Sequence, residues 1–473
     1  MKIDTKILTI REAHEHLVAG DFTACELAQA CLDNIKPELN EFIEVFDDVL
    51  EQAKEADEKI KNGQATLLTG IPMAIKNNIL IKGKRTTAGS KILENYKAVY
   101  DATVIRKLKE AGVIFIGGTN MDEFAMGGST ENSAYGVTKN PYDKTRVSGG
   151  SSGGSAVAVT TGACLVALGT DTGGSIRQPA SFCGVVGMKP TYGMVSRYGT
   201  IAMGSSLDQI GPFGKTIEDV EIIFDCIRGY DDMDSTSIPD KTYEKIEKSL
   251  NKKQTEIKIG IPRHFIKDGI DEDVLANFED SVERLKKLGY KIKEIELPNL
   301  DFALAVYYII MPAEVSTNLA RYDGVRYGLS EEGKDLLEGY LRTKGQGFGK
   351  EVRRRIMLGT YVLSAGYYDA YYNKAVALRE VIKDDFRKAF ETVDVIITPT
   401  TPTPAFKIGE KSNDPLQMYL SDIFTVSANV TGLPAISIPA GFVERDEKKL
   451  PLGLQIITPE MREELLFKVS QSF

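Results

Sequence analysis

A chain of 473 residues, 42% hydrophobic and 26% charged, carries enough apolar material for a large core, which excludes a disordered or fibrous protein. Its 58 Lys+Arg against 67 Asp+Glu leave a net charge of −9, so a broad cationic footprint for nucleic acid is excluded too. Five cysteines without a CxxC and only 3 histidines argue against a disulfide framework and against a zinc hydrolase, and a reduced, cytoplasmic setting is expected.

The N-terminal MKIDTKILTIREAHEHL is charged throughout and lacks the apolar centre of a signal peptide. Thr9-x-x-Glu12 and Thr23-x-x-Glu26 are capping-box signatures followed by apolar residues at helical spacing, which predicts a helical layer over residues 1–65. From about Leu68 the texture changes. An amphipathic stretch with Ile105 and Leu108 stops at Gly112, and VIFIGGT follows as a buried strand. The same helix–Gly–strand order recurs at 282–297, and IKIGIP (257–262), VDVIITPT (393–400), AISIPA (435–440) and LGLQII (452–457) read as further strands. Helices alternating with short β-branched runs predict a single α/β domain over 1–473, its sheet covered on both faces. The polar segments 229–256 and 408–416 are expected at the surface. Phe302 to Ala313, the longest apolar stretch, is too short to cross a bilayer, so no membrane is expected as a partner.

The unusual region runs from 117 to 215. GGSSGGS (149–155), the small-residue helix SAVAVTTGA, the apolar run CLVALG and TDTGGSIRQPAS (170–181) follow one another. Glycine lets N–H groups converge on one point, and such a cluster binds negative charge. A phosphate loop would need G-x-x-x-x-G-K-[ST], and no lysine follows either glycine cluster. An oxyanion needs a nucleophile beside the donors. Ser175 directly follows Gly173-Gly174, so backbone N–H groups of Thr172, Gly173, Gly174 and Ser175 are candidates for an oxyanion hole.

A serine needs a base. His14, His16 and His264 lie outside every glycine-rich motif and G-x-S-x-G is absent, so a Ser–His–acid triad is not expected. Lysine can substitute when burial lowers its pKa, and Lys76 sits in the mostly apolar TGIPMAIKNNIL. Taken alone, such a lysine would more often snorkel at the surface. GIPMAIKNN, GGSSGGS, TDTGGSIRQPA and GMKPTYGMVSRYG (187–199) occur in this order, and by them the chain resembles the amidase signature family over essentially its whole length. That resemblance implies a large mixed sheet flanked by helices, with a signature core over about 66–215. It implies Ser175 as nucleophile, Ser151 as a bridging serine held by a cis peptide bond, and Lys76 as the ultimate base. Ser155 is expected to cap its helix, Ser152 to bond the loop, Asp171 and Arg177 to brace the nucleophile loop, and Cys183 to pack.

GGSTENSAYG (127–136), 307–328, 353–372 and 418–439 resemble the branch of that family that is the amidase component of a tRNA-dependent amidotransferase. Gly128 departs from it, standing where a serine is usual. A glutamine substrate wants a guanidinium for its carboxylate and a carboxylate for its ammonium. By the resemblance Arg355 and Asp422 take those places, and Tyr307 or its neighbour Tyr308 lines the pocket. The resemblance implies glutamine hydrolysis with no cofactor on this chain. B and C partner subunits would carry most of the contact with misacylated tRNA, and one of them would use ATP and Mg. A stand-alone amidase acting on other carboxamides is the opposing reading. A non-catalytic scaffold would be expected to have lost Lys76 or a serine, yet all three are present.

Overall fold

In the computed structural model, which describes residues 3–243, 256–266 and 269–473, a mixed 11-stranded sheet organises the chain. Its first six strands are β1 (Phe42–Val45), β2 (Pro72–Lys76), β3 (Ile114–Thr119), β4 (Val166–Asp171), β5 (Val186–Lys189) and β6 (Gln209–Gly214). β7 (Lys258–Ile261), β8 (Lys291–Glu294), β9 (Val395–Pro399), β10 (Ala435–Arg445) and β11 (Lys448–Ile457) complete it. The spatial order is β1-β3-β2-β4-β6-β5-β10-β11-β9-β7-β8. β2 lies parallel to both β3 and β4, and all three are buried along their length, as strands covered on both faces must be. The other strands read from sequence also form. β10 and β11, read as separate strands, are one hairpin that turns at Asp446 and Glu447, both at positive φ, which matches the strand twist.

The first two helices, Ile10–Ala19 and Ala24–Asp33, begin at Thr9 and Thr23 with both capping boxes made. The N-terminal stretch is not wholly helical, because β1 adds an antiparallel edge strand beside β3. Residues 408–416 form exposed turns leading into the helix Pro415–Leu420. The 229–256 segment falls outside the described residues from 244 to 255.

Two large apolar clusters hold the fold. One joins the N-terminal helices to β2, β3 and β4. The other gathers the helices Ala303–Asn318, Lys350–Val362 and Lys374–Phe390 around residues such as Val306, Tyr307, Met311, Val352 and Phe386. The apolar stretch at 302–313 is part of a longer helical run, Leu300–Arg321, whose 22 residues are long and apolar enough to span a bilayer by length and composition. Its apolar side is spent on this second core, so the run is a core helix.

Candidate active site

Chain ends of parallel strands collect loops on one side of a sheet, and a ligand site commonly forms there. β2 and β4 are parallel neighbours, so Lys76 at the end of one lies beside Thr170 and Asp171 at the end of the other. Lys76 Nζ is 2.7 Å from Ser151 Oγ, 2.8 Å from Thr170 Oγ1 and 3.3 Å from the Thr170 carbonyl. Thr170 Oγ1 also accepts from Asn78 Nδ2. Burial drives the Lys76 pKa down to about 7, with the carboxylates of Asp122, Asp171 and Asp208 resisting that fall. An amine near neutrality is thus available beside a hydroxyl.

Ser151 lies just ahead of the helix Gly153–Thr161, and the Gly150–Ser151 peptide is cis. The Gly150 N–H donates to Gln178 Oε1 (2.9 Å), whose Nε2 donates to the Gly128 carbonyl (2.7 Å). The Ser152 N–H donates to the Ser175 carbonyl at 3.2 Å, so the two serine loops are tied backbone to backbone. Lys76 and Ser151 are wholly buried, whereas Ser175 keeps 7% of its surface. Of the three, only Ser175 can meet a substrate directly.

The loop after β4 is held from behind by Asp171 and Arg177, both with fully buried side chains. Arg177 donates to both carboxylate oxygens of Asp171, to Asn429 Oδ1 and Gln455 Oε1 (2.6 Å each) and to the Thr425 carbonyl. Burial pushes the Asp171 pKa up, but the guanidinium and the hydrogen bonds outweigh it and hold the group down at about 2. The pair braces the loop, as its sequence suggested.

Asp171 also changes the oxyanion assignment. The Gly174 N–H donates to Asp171 Oδ1 at 2.8 Å, so Gly174 is turned away and does not serve as an oxyanion donor. The N–H groups of Thr172, Gly173 and Ser175 have no acceptor among the described residues. Gly174 is required nonetheless. Its φ is 139°, and a Cβ there would collide with Thr425. Thr425 Oγ1 in turn donates to the Gly173 carbonyl at 2.7 Å.

Ser155 does not cap its helix. It lies inside the first turn, donates to the Leu168 carbonyl and pairs with Thr119 Oγ1, so it joins the helix to β3 and β4. Ser152 does bond the loop, donating to the Thr170 carbonyl. Cys183 is fully buried against the Ser148 carbonyl, and burial pushes its thiol pKa far up. His16 pairs with Asp21, and no cluster of three or more metal-ligating side chains occurs among the described residues.

The substrate-binding candidates come from distant helices. Arg355 is 3% exposed, donates from Nε to Glu351 Oε1 (2.8 Å), and lies 5.5 and 5.4 Å from the rings of Tyr308 and Tyr419. Those rings stack at 3.9 Å, and the Tyr419 hydroxyl donates to the same Glu351 oxygen. Asp422 follows the helix Pro415–Leu420, and its carboxylate accepts no hydrogen bond from any described residue. Burial lifts its pKa to about 7, with Arg355 pulling the other way. Tyr307 presses its ring against Gly173 of the loop after β4, and Tyr308 lies over Arg355.

Thr170, Gln178, Glu351 and Tyr419 were not singled out from sequence. Glu351 stands four residues before Arg355, a spacing that brings side chains together on a helix. Thr170 opens the TDTGGS motif itself. Gln178 and Tyr419 give no local signal, because their partners lie tens of residues away.

Residues 25–467 match the family described as Amidase, and the chain belongs to that family. Among curated relatives, the A subunit of glutamyl-tRNA(Gln) amidotransferase from Carboxydothermus hydrogenoformans is 53% identical over 472 residues, spanning 98% of this chain and 96% of the relative. The protein of the same name from Thermoanaerobacter pseudethanolicus is 54% identical, again covering 98% and 96%. The crystal structure of the Thermotoga maritima protein of that name superposes with a TM-score of 0.80 at 41% identity, covering 100% of this chain and 95% of its own. A peptide amidase from Stenotrophomonas maltophilia reaches a TM-score of 0.81 at 28% identity, covering 98% and 96%.

Proposed function

We propose that this chain is the glutamine-hydrolysing component of a tRNA-dependent amidotransferase, cleaving the side-chain amide through an ester on Ser175. The observation that carries the choice of glutamine is Asp422. Asp422 is a half-buried carboxylate that takes no donor from the described residues, so it is open to a substrate ammonium, with which it would form a charge-assisted hydrogen bond. Arg355 supplies the opposite charge for the substrate carboxylate, and Tyr308 and Tyr419 hold its guanidinium plane.

Neutral Lys76 takes the proton of Ser151, which takes that of Ser175 as Oγ attacks the amide carbon. The carbonyl π-electrons move to oxygen, where the N–H groups of Thr172, Gly173 and Ser175 receive the charge. One such donor contributes about 2.7–4 kcal/mol to lowering a barrier of this kind. The C–N bond then breaks as Ser151 returns a proton to nitrogen, and ammonia leaves. Water attacks the ester by the same relay and releases glutamate, so glutamine and water become glutamate and ammonia.

The ammonia would pass to a partner subunit that uses ATP and Mg to activate Glu-tRNA(Gln) or Asp-tRNA(Asn), in the cytoplasm and in complex with B and C subunits. The acidic balance of this chain supports leaving most tRNA contact to a partner. Two measurements test the reading. An electrophilic glutamine analogue is expected to label Ser175, and a label on Cys183 would refute the assignment. Glutaminase activity is expected to rise from the chain alone, to the chain with partners, to partners with ATP and misacylated tRNA. Full turnover of many amides by the lone chain, indifferent to partners, would establish a stand-alone amidase instead.

A further inference from the structure

Glycine at position 128 answers to no steric demand. A Cβ at Gly127 or Gly150 would drive into the Asp122 carboxyl, and one at Gly174 into Thr425, so those glycines are forced by close approach. At Gly128 the same atom would meet Met418 Sδ at 3.7 Å, Asp422 Oδ1 at 3.8 Å and Gln178 Nε2 at 3.8 Å, all ordinary contact distances. Its φ is not in the left-handed region either. Nor is the loop slack, because the Gly128 carbonyl accepts from the fully buried Gln178 and the Ser129 and Thr130 amides donate to Asp122. The missing side chain therefore leaves a recess with fixed walls, and one wall is the unpartnered carboxylate of Asp422.

Building on the glutamine reading, we propose that Gly128 sets the size of the ammonium subsite. The recess admits a small substituent on the α-nitrogen, so the chain accepts a secondary ammonium as well as the primary one. A secondary ammonium keeps its positive charge and two N–H donors. With one N–H aimed at Asp422 Oδ1, the substituent has the space beside that oxygen open to it, bounded by Met418 and Gln178. An Nα-acylated glutamine has lost the charge and gains nothing from the same space.

The test compares kcat and KM for L-glutamine, Nα-methyl-L-glutamine and propionamide in the parent, G128A and G128S, each joined to the partner subunits, with the circular dichroism spectrum of each chain as the check that it is folded. The parent is expected to use both glutamines. In G128A the ratio of kcat/KM for the methylated over the plain substrate should fall about tenfold or more, through KM, since one methylene's worth of room decides it. G128S should repeat that loss. A ratio unchanged in both variants overturns the proposal, as does a parent that hydrolyses glutamine but refuses its Nα-methyl form. A parent that prefers propionamide to glutamine overturns the glutamine reading and this inference together, and the parent data alone reveal that case.

Discussion

Asp171 and Asp422 are two inward-facing aspartates treated in opposite ways. Asp171, behind the nucleophile loop, receives hydrogen bonds from Arg177, Asn429 and the amides of Gly174 and Ile176, and is held at about 2. Asp422, at the substrate end, receives none from the described residues and floats up to about 7. The region proposed to make and break bonds is satisfied internally and braced, while the region proposed to recognise substrate keeps a carboxylate that no described donor engages. A site of this kind gives up stability where it must bind and recovers it where it must stay still.

The largest effect should come from removing the reacting atom in the braced region. Ser175→Ala should cost on the order of 10⁴-fold or more in amide hydrolysis with the circular dichroism spectrum unaltered. Lys76→Arg should fail comparably, because a guanidinium stays protonated, and near-normal acylation by that variant would remove Lys76 from the relay. Next, Asp171→Asn leaves Arg177 as a buried charge without its counter-ion and should lose about 3–5 kcal/mol in urea unfolding. If unfolding were no easier, the contrast between the two aspartates would be void.

Asp422→Asn should do the reverse. It should cost about ten- to hundredfold in kcat/KM on glutamine, with propionamide losing far less, since only glutamine brings an ammonium. At pH 8 its stability should equal or exceed the parent's. The folded Asp422 pKa lies above its unfolded value, so the ionised carboxylate weighs against folding as pH rises through about 7. Equal loss on both substrates would make Asp422 structural.

The mildest probe is pH. Lys76 must be neutral to accept a proton, and its pKa of about 7 means that activity on any amide falls as pH drops below that value. Glutamine also needs Asp422 ionised, and that group is neutralised over the same range. Between pH 5 and 6, log kcat/KM should therefore fall with a slope near two for glutamine and near one for propionamide. Parallel slopes would show that Asp422 does not meet the ammonium.

The sequence by itself determined what local spacing can carry. The Thr9 and Thr23 capping boxes, the buried strands, a lysine among apolar residues and a serine behind two glycines each depend on neighbours a few positions away. Those short-range rules predicted most of the elements and drew attention to the glycine loops and Lys76, while the catalytic roles proposed for Lys76 and the serines came from the family resemblance. They erred where a side chain bonds across the fold. Ser155 looked like a cap but is used up by Leu168 and Thr119. The Gly174 amide looked free but turns back on the Asp171 carboxylate three residues before it, a loop conformation that residue types alone do not specify. β1 was lost in a helical stretch because an edge strand of four residues gains its meaning only from β3 beside it. Only the tertiary structure could decide that Arg177 ties position 177 to 429 and 455, that Tyr419 joins Arg355 through Glu351, or that Gly128 faces Asp422. Hydrogen bonds and close contacts act over a few ångströms of space whatever the separation along the chain, and that distance appears only when the chain is folded.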